Sequence, residues 1–141
     1  MNSSFHRPHR PDSYRRWADS VPADFRFAVK LPKEITHVRK LRDCVEPIDR
    51  FLGECGQLGD KLGPLLVQLP PSLELDSAVA RGFFELVRQR VTGPVVCEPR
   101  HPTWFGDEGD DLLRRMEVAR VGADPARVPE AGHLAPRTPH A

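Results

Sequence analysis

The sequence predicts an α/β fold with about four parallel strands in an open sheet, on three observations. First, four apolar runs each end on a polar residue, with a proline within two positions. They are Phe25–Lys30 before Pro32, Pro64–Gln68 before Pro70, Val95–Glu98 before Pro99 and Val118–Asp124 before Pro125. Second, segments of helical periodicity lie between the runs. Third, the runs recur about 25 to 40 residues apart, the repeat expected of βα units. Runs this apolar fit strands buried on both faces, the habit of parallel sheets. Proline has no amide donor to give a neighbouring strand and so ends each one.

The elements follow in order. Pro11-Asp12-Ser13 can start a short helix carrying Tyr14, Trp17 and Ala18 on one side. After the first strand, the stretch from Pro32 to Asp43 reads as a basic loop or helical turn, with Lys33, His37, Arg39, Lys40 and Arg42. A longer helix is predicted from about Cys44 to Gln57. Its residues Ile48, Phe51, Leu52 and Cys55 fall at i, i+3, i+4 and i+7, one apolar stripe. Pro47 sits in the first turn, where proline is tolerated. Asp76 can cap a third helix with Val79, Phe83, Leu86 and Val87 inward. Asp107 or Asp110 opens a fourth, bearing Leu112, Leu113 and Met116. Beyond Pro129 the chain is rich in Pro, Gly, Ala and His without a period, and reads as a loose tail.

Composition narrows the function classes. The 141 residues allow one domain, and 39% apolar content is enough for a core. With 21 basic and 20 acidic residues the net charge is +1, which gives no global pull toward nucleic acid or an anionic membrane. No apolar stretch approaches the roughly 18 residues of a membrane helix, and the first residues carry no signal-peptide core, so a cytoplasmic protein is expected. Cys44, Cys55 and Cys97 have no metal-type spacing and read as small buried hydrophobes.

Alternation along each strand sorts the side chains. Phe25, Phe27 and Val29 oppose Arg26, Ala28 and Lys30. Leu65, Val67 and Leu69 oppose Leu66 and Gln68. Val95 and Cys97 oppose Val96 and Glu98. Val121 and Ala123 oppose Arg120, Gly122 and Asp124. The sets ending in a polar residue suit the inside of a barrel, so Lys30, Gln68, Glu98 and Asp124 are expected to converge at its mouth. In α/β proteins that carboxyl edge is where ligands bind.

Four ordered motifs resemble the YecE-like family, a "domain of unknown function" group. They are Asn2-Ser3-Ser4-Phe5; Phe25 to Pro32 with Ile35-Thr36-His37; Gly59-Asp60-Lys61-Leu62-Gly63-Pro64 into Gln68-Leu69-Pro70-Pro71-Ser72; and Glu98 to Phe105. The resemblance implies a TIM-barrel-like fold, a cytoplasmic protein and no agreed activity. Family members are nearly twice this length, and a closed barrel takes about 200 to 250 residues. Residues 1–128 are therefore expected to be the central portion of such a barrel, truncated at both ends. Residues 129–141 are expected to be a disordered or frameshift-like tail.

Each candidate site residue has a structural alternative. Lys30 could contact an anion or act as an amine nucleophile, or pair with Glu98. Gln68 could orient a ligand or bridge neighbouring strands. Glu98 is the strongest candidate acid or base, and its alternative is an ion pair with Lys30 or Arg100. Asp124 could be a second carboxylate, as in glycoside hydrolysis, or simply open its turn before Pro125. Arg100 could clamp an anion, His101 could shuttle protons and Trp104 could wall a ligand or plug the rim. His37 has a metal-ligand side chain, but no short ligand spacing accompanies it, so the metal reading is weak, no metal ligand is assigned and the cofactor is unknown. The expected ligand is a small anionic or polyol molecule. A nucleic-acid or phosphate-binding module using the Lys33–Arg42 segment is the alternative, and an inactive gene fragment is a third reading.

Overall fold

The computed structural model describes residues 4–5, 11–22 and 25–122. Asp124 and the predicted tail lie outside the described residues. Five strands form one parallel sheet in the order β1-β2-β3-β4-β5: Ser4–Phe5, Phe27–Lys30, Leu62–Gln68, Val95–Glu98 and Val118–Arg120. Four helices connect them: α1 (Pro11–Asp19), α2 (Val45–Cys55), α3 (Ser77–Arg90) and α4 (Asp107–Arg115). Sequential order with parallel pairing throughout is the pattern of a TIM-like barrel. Among the described residues β1 and β5 do not pair, so the sheet is open. The fold is thus α/β and partial TIM-barrel-like, with one more strand than expected. The extra strand is the two-residue Ser4–Phe5 pairing with Ala28 and Val29, too short to leave a periodic signal.

One face of the sheet packs on the helices. Phe27 and Val29 of β2, Leu65 and Val67 of β3, and Val95 and Cys97 of β4 are buried there. They join Ile48, Phe51 and Cys55 of α2, Phe83, Phe84 and Val87 of α3, and Leu112 and Leu113 of α4. Asp76 caps α3 as expected, its carboxylate accepting from the Val79 amide. All three cysteines are free and buried. Burial pushes the Cys44 thiol up to about 11 and the Cys55 thiol to about 12, and it raises Cys97 as well, so all three stay protonated and inert.

Two details of the sheet depart from the sequence reading. Arg120 was expected on the inner face. Its register partner is Cys97, which places it instead on the helix side. There it contacts the Trp104 carbonyl, Asp110 of α4 and the ring of Phe105. The strand begins at Val118, so counting back from Asp124 misjudges the phase where alternation ends. β3 also begins earlier than Pro64, at Leu62, and holds a proline inside a central strand. The β2–β3 register shifts between Phe27 and Val29, which accommodates this. At such a bulge a missing amide donor is tolerated. Gly63 is required there: a Cβ at that position would sit 2.9 Å from the Phe27 carbonyl oxygen.

Candidate site at the carboxyl edge of the sheet

The inner face carries the polar set. Lys30, Leu66, Val96 and Ala119 lie side by side across four strands, and Gln68 and Glu98 are partners one step further toward the carboxyl ends. Lys30 therefore stands about 6–7 Å nearer the amino end than Gln68, on the same face. Three of the four residues expected at the mouth share one face and one end.

Glu98 anchors the site. It is 5% exposed. Gln68 Nε2 donates to its Oε1 at 3.2 Å, and the Arg100 guanidinium lies 3.6 Å from its Oε2. A buried carboxylate needs such partners to offset the loss of water. Gln68 thus bridges neighbouring strands, and the ion pair left open between Lys30 and Arg100 includes Arg100. The chain after β5 also comes against this group. Gly122 has φ +91°, and a Cβ there would lie 3.7 Å from Glu98 Cγ. Asp124, two residues further, is outside the described residues.

The connection from β2 to α2 supplies His37. Instead of a plain loop, Glu34–Val38 forms one wide helical turn, closed by the Arg39 amide on the Glu34 carbonyl at 2.9 Å. Such wide turns recur at functional sites. Thr36 is 1% exposed, and its hydroxyl lies 2.7 Å from His37 Nδ1. Burial, followed by the positive charges of Lys33, Arg100 and Lys30, holds His37 below the ordinary imidazole range. Arg100, on the loop after β4, thus adds to the positive field at His37, on the loop after β2. The return into α2 passes through left-handed backbone at Lys40, Leu41 and Asp43. Burial of Leu41, its amide bond to the Ile35 carbonyl at 3.0 Å and the Arg39 bond to the Asp43 carbonyl at 2.8 Å hold that bend.

His101 and Trp104 serve the loop after β4. His101 Nδ1 accepts from the Thr103 amide at 3.3 Å, which leaves Nε2 to carry the proton of the neutral ring. Thr103 Oγ1 in turn accepts from the Leu75 amide at 2.8 Å. Trp104 is 1% exposed, and its Nε1 donates to the Leu73 carbonyl at 2.9 Å. It fills the rim from behind and shows no open ring face at the mouth. Of the basic run, Arg39 pairs with Glu34 at 3.2 Å and Arg42 with Asp76 at 3.5 Å. No group of three or more His, Cys, Asp or Glu placed to hold a metal occurs among the described residues. Lys33 was named from sequence only within the basic Lys33–Arg42 segment, and Thr36 only within the Ile35-Thr36-His37 motif.

Comparison with known proteins agrees with this architecture. The family model described as "Protein of unknown function DUF72" matches residues 1–141. The UPF0759 protein YecE of Escherichia coli K12 is 32% identical over 124 residues, which are 85% of this chain and 44% of that protein. A DUF72 family crystal structure from Thermotoga maritima superposes with a TM-score of 0.66 at 24% identity, over 84% of this chain and 47% of that one. One from Enterococcus faecalis gives 0.64 at 19% identity, over 79% and 49%. The chain therefore spans about half the length of the relatives it matches. With its whole length matched by the family model and its parallel sheet shared with these structures, the chain belongs to the DUF72 family.

Proposed function

We propose that the carboxyl edge of the sheet is a small-molecule site for an anionic or polyol ligand. Glu98 acts as acid or base, Lys30 and Arg100 contact the ligand's charge, and Gln68 orients it. His37 borders the ligand, and His101 offers Nε2 as a donor from the loop after β4. Asp124 is the candidate second carboxylate. Trp104 contributes by holding the β4–α4 connection. The observation that carries this reading is Glu98 itself: a carboxylate 5% exposed at the strand ends, with one oxygen on Gln68 and the other beside Arg100. A carboxylate so placed has a defined orientation and a shielded environment, the two requirements of a general acid or base.

The test is a thermal-shift screen of carboxylates, sugar phosphates and polyols, followed by turnover assays on the hits. Glu98→Gln should leave binding in place and abolish turnover. Undiminished turnover of an identified substrate in that variant would refute the assignment. The nucleic-acid reading of the same edge predicts oligonucleotide binding that falls steeply with salt. Failure to retain an oligonucleotide at low salt removes it.

A further inference from the structure

We infer that a cleft beside the start of α3 binds a free α-amino acid with an apolar side chain, its carboxylate on Lys40 and its ammonium on Glu74. The cleft has a volume of about 410 Å³, within the roughly 300–1,000 Å³ of small-molecule sites. Its lining comes from the β2–α2 connection, the β3–α3 connection and the first turn of α3, with Trp104 from the loop after β4. None of Lys30, Gln68, Glu98 or Arg100 lines it, so the inference stands apart from the proposal for the strand ends.

The charged residues of the lining are Lys40 and Arg42 on the first connection and Glu74 and Asp76 on the second. Two cations and two anions leave the cleft without net charge. Asp76 is committed twice, accepting from the Val79 amide at 3.2 Å and pairing with Arg42 at 3.5 Å. Among the described residues Lys40 and Glu74 have no ion pair or side-chain hydrogen bond, and both are exposed. One free charge of each sign therefore remains in a single cleft. A zwitterion satisfies both. A phosphate or a polyamine satisfies one and is repelled by the other. Leu73, Leu75 and Val79 also line the cleft and are only partly buried, which leaves apolar surface for the ligand's side chain.

Both walls are fixed before any ligand arrives. On one, the Leu73 carbonyl accepts from Trp104 Nε1 at 2.9 Å, and the Leu75 amide donates to Thr103 Oγ1 at 2.8 Å. On the other, Lys40 and Leu41 hold left-handed backbone, φ +50° and +70°. Such backbone persists only where its surroundings dictate it, and it clusters at ligand clamps. Walls already set lose little freedom on binding.

The experiment is calorimetric titration of the full chain with leucine, phenylalanine, glycine, N-acetylleucine and leucine amide. Leucine and phenylalanine should bind. Glycine should bind at least about tenfold more weakly, having no side chain to bury. Each blocked leucine should be about tenfold weaker, having lost one charged group, and Lys40→Gln and Glu74→Gln should each weaken leucine about as much. Both residues are exposed, so both variants should fold. Leucine amide, with no carboxylate, should be indifferent to Lys40→Gln, and N-acetylleucine, with no ammonium, to Glu74→Gln. In the unmutated protein, leucine should shift the amide NMR signals of Leu73, Leu75 and Val79. Leucine binding that neither variant alters, or that Arg100→Ala removes while both variants keep it, lies elsewhere and overturns the inference. Blocked leucines that bind as tightly as leucine overturn the amino-acid class. Absence of binding by both leucine and phenylalanine overturns the inference as a whole.

Discussion

Two arginines at opposite ends of the sheet show how the same side chain is used for opposite purposes. Arg88, near the end of α3, lies at the amino edge. It donates to the carbonyls of Met116 and Gly93 at 2.8 Å, Val91 at 3.2 Å and Glu117 at 2.6 Å. The turn it holds includes Glu117 in left-handed backbone, φ +57°. Arg100, at the carboxyl edge, has one long contact to one carboxylate. A cleft of about 700 Å³ adjoins Arg88, yet the donors there are spent on backbone carbonyls. The proposed site therefore does not rest on cleft size. It rests on an arginine with donors to spare beside a buried carboxylate.

If that contrast is right, Arg88→Ala should produce the largest loss of stability, about 2–4 kcal/mol by urea denaturation, as several carbonyls lose a charged donor. Arg88→Lys should recover only part of it, since an ammonium cannot match the planar fork. Gly109→Ala comes next. A Cβ at that position would lie very close to the Trp104 carbonyl oxygen, so α4 must shift off the turn below Arg100. A loss of about 1–3 kcal/mol is expected, as for overpacking, with weakened ligand binding. Arg100→Ala should cost about 1–2 kcal/mol, less than Arg88→Ala because Gln68 still holds the buried Glu98 carboxylate, while removing anion binding. A stability loss equal to that of Arg88→Ala would erase the distinction between the two ends.

The smallest effect is a pH dependence from His37. Its imidazole is depressed in the folded state, so the unfolded chain binds the proton more readily. Stability should therefore fall as pH drops through the ordinary imidazole range and below it, and rise as pH returns. His37→Gln should flatten that slope. A slope unchanged in the variant would show that other groups carry it.

Much of this architecture was legible in residue order. The strand β4 and the helix α3 with its Asp76 cap fall where apolar runs and capping chemistry put them. Lys30, Gln68 and Glu98 share a face because alternation holds within short regular strands. What escaped depends on contacts across the sheet. The strand Ser4–Phe5 is too short for a period. Pro64 hid the start of β3 because the bulge that tolerates it is a property of the pair, not of one strand. Arg120 changed faces because its phase is set by pairing with Cys97. The wide turn carrying Thr36 and His37 is held by Arg39 and by burial of Leu41, neither of which has a local signature.

The central claim is that side chains from separate βα units meet in one electrostatic site. It is tested most directly by the His37 titration in the unmutated protein and in Lys30→Ala and Arg100→Ala, read from imidazole NMR shifts. Each variant removes a positive neighbour, so each should move the His37 midpoint upward toward that of a free imidazole. Midpoints unchanged in Arg100→Ala would mean that the loops after β2 and β4 do not share a site, and would contradict the account.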